Sequence, residues 1–157
     1  MKDFTEDKDY ELWMLLAQAR EAMYKARQKE LRRYNLSPRQ SAVLFIIRAI
    51  GDKVTPAEIS RRLLRESHSV SEIISRMEKQ GLLKKVRDLD RKNLVRIELT
   101  EKGSEAYSQA IKRDSIHKIM SALSDEERRQ FSTMLKTIRD RALKESGKEL
   151  RTPFPPL

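Results

Sequence analysis

The sequence predicts a mainly α-helical chain with one small β-hairpin, on three observations. Two helix starts share one grammar, Ser37-Pro38-x-Gln40 and Thr55-Pro56-x-Glu58. Each offers a capping hydroxyl, a proline at the first helical position and a side chain that closes a capping box. The 157 residues include only four Gly and five Pro, which favours long helices over many turns. The hydrophobic period changes to two where Val95, Ile97 and Leu99 alternate with Arg96 and Glu98.

The elements follow in order. "DYELWMLLAQAREAMYKARQKELRRYN" reads as one long helix, with Leu12, Leu16, Ala19, Met23 and Ala26 in a narrow apolar stripe widened by Trp13 and Ala17. Its second half is heavily charged, which predicts exposure there. "PRQSAVLFIIRAI" is the most apolar run and the expected central core helix, ended by Gly51. A short helix opened by Thr55 and Pro56 places Ile59 and Leu63 on one face. After a turn through Arg65 and Glu66, Val70, Ile73, Ile74 and Met77 repeat at i, i+3, i+4, i+7 and form the buried face of the next helix, which Gly81 terminates. His68, Glu72, Ser75 and Lys79 lie near its opposite side, flanked by Ser69, Ser71 and Arg76. "LLKKVR" and the alternating segment make two strands, with "DLDRKN" as the hairpin tip. Thr100 caps a second long helix over "EKGSEAYSQAIKRDSIHKIMSAL". Ser124 and Glu127 box a final helix that buries Phe131, Met134, Leu135, Ile138 and Ala142. Pro153, Pro155 and Pro156 keep the tail out of any helix.

Composition bounds the function. Hydrophobic residues make up 38% of the chain, a low share for a self-sufficient globule, so some core is expected to be shared with a second chain. The net charge of +10 favours anionic partners, nucleic acid before a membrane surface. The lack of cysteine excludes disulfides, zinc–cysteine sites and thiol redox sensing. With only His68 and His117, no metal site is expected. No window reaches the apolar length of a membrane span and no secretory h-region opens the chain, so a soluble cytoplasmic protein is expected. No nucleophile–base pair or phosphate-cradling Gly-rich loop is present, so no enzyme and no cofactor are expected.

A capped short helix, a tight turn, a helix with a polar front and a basic hairpin, in that order, describe a winged helix-turn-helix. Small Ser and His side chains permit close approach to a major groove about 12 Å wide. A thin basic loop suits the minor groove or the backbone beside it. Its cations are Arg91 and Lys92 at the tip, flanked by Arg87, Lys84, Lys85 and Arg96.

Over nearly its whole length the chain resembles the MarR regulators, the multiple-antibiotic-resistance repressor type. "LSPRQSAVLFII", "TPAEISRRLL", "SVSEIISRMEKQGLLKK" and "DLDRKNLVRIELTEKG" carry the resemblance, the last two most specifically. It implies a homodimer with interlocked terminal helices, a palindromic DNA operator, and in many members release of DNA when a small, often aromatic, ligand fills a cleft. By position it assigns DNA contact to His68, Ser69, Ser71, Glu72 and Arg76, with Ser75 on the same face. The wing's acid-plus-arginine pattern falls on Asp90 and Arg91. The wing is one residue longer than usual, so Asp88 or Asp90 braces it and Arg91 or Lys92 reaches the groove. Glu72 stands where relatives often carry a base. It suits a cytosine amino group or an ion pair with Arg76 four residues on.

Plainer readings stand beside these. Ser67 or Ser69 serves as N-cap, the latter boxed with Glu72. Trp13, Leu16 and Phe45 are candidates for a ligand cleft, with Arg20 and Arg39 to meet an anionic ligand. Apolar residues at helical spacing are more often core or dimer interface. The expectation is therefore a dimerisation helix over 1–34, a winged helix-turn-helix over 35–100 and C-terminal dimerisation helices with a tail over 101–157. Its partners are double-stranded DNA, a second copy and a small aromatic or anionic effector, without a membrane. The alternatives are a winged-helix scaffold for protein interaction and a constitutive DNA binder without effector.

Overall fold

The computed structural model describes residues 6–51, 54–87, 90–91 and 93–148. Helix α1 (Lys8–Leu31) runs into a 3-10 turn (Arg32–Tyr34), then come α2 (Pro38–Ile50), α3 (Pro56–Leu63) and α4 (Ser67–Lys79). Strands β1 (Leu83–Arg87) and β2 (Val95–Leu99) follow, then α5 (Glu101–Ala110), α6 (Asp114–Met120) and α7 (Asp125–Glu145). The strands pair antiparallel, Leu83 opposite Leu99 and Arg87 opposite Val95. The predicted mainly α winged helix-turn-helix is the fold observed. The proline-rich tail lies outside the described residues.

The helix starts are local chemistry. Ser37 Oγ accepts from Gln40 N at 3.2 Å and Gln40 Oε1 accepts from Ser37 N at 3.1 Å, closing the predicted box. Ser124 and Glu127 close theirs in the same way. Thr55 accepts from Glu58 N at 3.2 Å, but the Glu58 carboxylate faces Arg61 at 2.8 Å and Arg62 at 3.8 Å instead of completing the box. The core gathers Leu31, Val43, Leu44, Ile46, Ile47, Val54, Ile59, Val70, Ile74, Met77, Leu83 and Ile97 around α2. Val54 joins the hairpin as well, its carbonyl accepting from Ile97 N at 2.9 Å.

Three expectations need correction. Helix α1 is exposed through its apolar first half, with Leu12 at 65% and Trp13 at 70%, and in its charged second half Glu21, Lys25 and Lys29 are exposed as expected but Arg27 is buried and Glu30 half-buried. Charge did not prevent burial because the charges answer one another. Arg27, 8% exposed, reaches Glu30 Oε2 at 2.6 Å and the Ala110 carbonyl at 2.7 Å. The Glu30 carboxylate also accepts from Ser115 N at 3.1 Å and from the Ser115 hydroxyl. Burial alone pushes the Glu30 carboxyl up, but the hydrogen bonds from Ser115 and Arg27 and the Arg27 charge outweigh it and hold the group at about 2.

The second correction is that the long helix expected after Thr100 is two. It breaks over Ile111–Arg113, where Arg113 takes φ 53°. Two tertiary contacts hold the break: Arg113 lies over the Phe45 ring at 5.2 Å, and Ser115 is tied to Glu30. Third, α7 does not bury its stripe within the chain. Met134 and Ile138 are 55% and 54% exposed, Leu135 and Ala142 are exposed, and Phe131 is half-buried. Among the described residues no other element packs extensively against α7.

Candidate nucleic-acid interface

The turn between α3 and α4 aims the polar helix. Leu64 closes α3 in the left-handed region at φ 52°. Ser60 then ties the turn twice: its hydroxyl donates to the Arg65 carbonyl at 2.6 Å, and its own carbonyl accepts from Arg65 N at 3.1 Å. Glu66 is the residue before the first helical turn, and no side chain caps it. Ser67 is therefore the first helical residue and Ser69 the third, so neither is the N-cap and the expected Ser69–Glu72 box does not form. The turn fixes the start one residue too early for a serine cap, which leaves both hydroxyls free of that duty.

Val70, Ile74 and Met77 are fully buried beneath α4 and Ile73 is half-buried. On the other side His68, Ser71, Glu72 and Arg76 are exposed, with Ser69 and Ser75 half-buried. The structure thus brings the six predicted recognition-helix residues onto one face. The expected Glu72–Arg76 ion pair is not formed among the described residues.

The far end of α4 is locked to α5. Gly81 takes φ 74°, and its carbonyl accepts from the Thr100 hydroxyl at 2.5 Å. Lys102 Nζ donates to the Gln80 carbonyl at 2.8 Å, a cation at a helix C-terminus. Thr100 also caps α5 through Gly103 N at 3.0 Å. The segment written Leu99-Thr100-Glu101-Lys102-Gly103 is therefore the joint between helix, wing and α5.

In the wing, Lys84 pairs with Glu98 at 3.5 Å and Lys85 with Glu78 at 3.9 Å. Both pairs are exposed, so they add little stability, but they answer two of the flanking positive charges. Arg87, Asp90 and Arg91 are exposed at the outer end of the hairpin. Asp88 and Lys92 lie outside the described residues.

The candidate cleft residues divide between two helices. Trp13, Leu16 and Arg20 are exposed on the first half of α1. Arg39 and Phe45 sit on α2, Arg39 over the Tyr24 ring at 5.8 Å and Phe45 under Arg113. The reading of residues missed Arg27, Glu30 and Ser115, whose roles depend on partners more than 80 positions apart in sequence. Among the described residues, no group of His, Asp and Glu is gathered for a metal ion. No helix among them is long and apolar enough to cross a membrane.

The model of the MarR family matches residues 34–92. The organohalide-sensing transcriptional regulator RdhR, in its 2,4-dichlorophenol-bound crystal structure, is 33% identical over 100% of this chain and 95% of its own, with a TM-score of 0.88. The chain belongs to the MarR family. Its match to the ligand-free form of RdhR is equally close, at 32% identity and a TM-score of 0.88. A cysteine-to-serine mutant of MarR from E. coli, complexed with operator DNA, shares the fold at 18% identity, covering 87% of this chain and 99% of its own with a TM-score of 0.79. No curated protein matches the sequence. As a MarR-family protein the chain is a DNA-binding transcriptional regulator, and α3, α4 and the β1–β2 wing make up its winged helix-turn-helix.

Proposed function

We propose that this MarR-family regulator is a homodimeric repressor of a palindromic operator, released by a small aromatic or anionic effector. The observation that carries the reading is α4 itself: three fully buried side chains fix one face while His68, Ser71 and Glu72 stand exposed on the other. Two such helices enter successive major grooves about one helical turn apart, with Arg87 and Arg91 of each wing beside them. Phosphate charge supplies affinity, and the α4 face supplies sequence choice.

The outward apolar faces of α1 and α7 support the dimer, since stripes containing Trp13, Leu16, Met134 and Ile138 need a cover that the described residues of one chain do not supply. On this reading 1–34 and 101–157 form the dimerisation parts and 35–100 the DNA-binding part. The dichlorophenol bound to RdhR supports an aromatic effector. Trp13, Leu16 and Phe45 are the apolar candidates to meet it, and Arg20 and Arg39 the cationic ones.

Operator selection from random duplexes with the full chain, followed by sequencing, tests the reading. A palindromic consensus is expected, and recovery of no specific duplex would overturn it. Two variants test the parts. Arg91→Ala is expected to weaken binding to all DNA and, with one wing from each protomer, to lower the log–log salt slope by about two. An unchanged slope removes the wing from the interface. Ser71→Ala is expected to lose about 1–3 kcal/mol of discrimination at one base pair of each half-site. Equal weakening on operator and random DNA would make Ser71 a backbone contact.

A further inference from the structure

A cavity of about 290 Å³ opens between the end of α1, the start of α2 and the last turn of α4. Gln28, Arg32, Ser37, Gln40, Arg76 and Gln80 contribute to its wall, and no acidic residue does. Arg32 and Arg76 are both exposed, and among the described residues no carboxylate pairs with either guanidinium.

The polar groups of the wall have a defined direction. Ser37 N must donate, so the Gln40 side-chain atom that meets it at 3.1 Å is the carbonyl oxygen. The Gln40 Nε2 amide is then the donor to Gln80 at 2.9 Å, and the Gln80 atom that accepts is its oxygen. The Ser37 hydroxyl accepts from Gln40 N. The acceptors along this chain are therefore engaged inside the wall. Gln28 and Asn35 add side-chain amides that can donate or accept, and two guanidinium groups and the Gln80 Nε2 amide add donors alone. Two unpaired cations and a spare amide donor around an open cavity suit a tetrahedral or planar oxyanion.

We propose that this cavity is an oxyanion seat that takes a backbone phosphate of bound DNA. The proposal rests on the DNA-binding reading above. It places Arg76 on the sugar-phosphate backbone rather than on a base edge, and it adds Arg32, which the reading of the sequence left unassigned. Gln40 is 7% exposed and linked directly to Gln80, so a phosphate held here engages the starting turn of α2 and the end of α4 together. A free oxyanion shares the chemistry, and the test separates the two sources.

The test uses the full chain and measures affinity against salt, on the selected operator and on random duplex, for Arg32→Gln, Arg76→Gln and the remote charge control Lys136→Gln. Arg32 and Arg76 are exposed, so both variants are expected to melt with the parent. With one seat in each protomer of the dimer, each is expected to lower the salt slope by about two on both duplexes while the ratio of operator to random affinity is kept. Slopes equal to that of Lys136→Gln would overturn the seat. A fall in discrimination for Arg76→Gln would return that residue to a base edge and overturn it too. If the parent binds DNA and Arg91→Ala lowers its slope while Arg32→Gln does not, the seat alone fails. If the parent shows no salt-dependent DNA binding, both readings fail together. In the DNA-free protein, titration with inorganic phosphate at constant ionic strength is followed by the guanidinium NMR signals. Saturation at low millimolar phosphate, with displacement of DNA, would assign the seat to a free anion and overturn the DNA-phosphate assignment.

Discussion

Replacing Glu30 by glutamine is expected to destabilise the chain by about 3 kcal/mol at neutral pH, and to remove most of that difference in acid. The carboxyl is held at about 2 in the folded chain against an ordinary 4.5. A difference of that size between folded and unfolded states corresponds to about 3 kcal/mol of stability. The folded value is the lower one, so the contribution is complete above about pH 4.5 and is lost as the pH falls toward 2. That figure already contains the loss of the Arg27 partner, since the Arg27 charge and hydrogen bond are among the causes that hold the carboxyl down. For a domain of this size the expected fall in Tm is about 6–12 °C at pH 7. Urea unfolding of both proteins from pH 7 to pH 2 checks the sign, since the other carboxyls titrate in both and cancel in the difference. A constant gap across that range would show that the Glu30 charge is not what holds α6 to α1.

Gly103→Ala is expected to cost about 3 kcal/mol or more. A Cβ at this position meets the Leu82 carbonyl oxygen at 1.8 Å and its carbon at 2.9 Å. Both are backbone atoms, so no side-chain rotation relieves the contact, and the helix or the loop must move. The same Leu82 oxygen accepts from Thr100 N at 3.2 Å, so movement breaks the link between the start of α5 and the loop after α4. Gly51→Ala serves as comparison: its positive φ costs about 1 kcal/mol, but nothing lies within 4 Å of the new carbon. Thermal melts of the two variants should separate clearly. If Gly103→Ala melted with the parent, the close seat of α5 on Leu82 would be wrong.

The features legible in the sequence were those settled within a few residues. The Ser37–Gln40 and Ser124–Glu127 boxes close within one turn, and the buried triplet Val70, Ile74 and Met77 follows from helical period alone. The exposed face from His68 to Arg76 follows from the same period. Features settled across the fold were misread. "IKRDS" holds no Gly, Pro or Asn to announce a break, because the break is imposed by Phe45 and Glu30 from other helices. The burial of Arg27 within the charged half of α1 was not legible, because its ion pair with Glu30 is completed by groups on α5 and α6. The basic cavity could not be read at all, because its meaning depends on which arginines lack a carboxylate, and pairing is a property of the fold.

The bare start of α4 has a further consequence. Helices α1, α2, α3, α5 and α7 begin under side-chain caps from Asp7, Ser37, Thr55, Thr100 and Ser124, whereas α4 begins on Glu66 and α6 on Arg113 with none. Such a cap is worth about 1 kcal/mol. The first turn of α4 therefore opens more cheaply than its neighbours, and its leading amides exchange with solvent while the middle of the helix stays protected. On the proposed reading this turn is the leading edge of the helix that meets DNA, and hydrogen exchange of the Ser67–Val70 amides is expected to slow when operator is added; unchanged exchange would show that the turn is already as ordered without DNA.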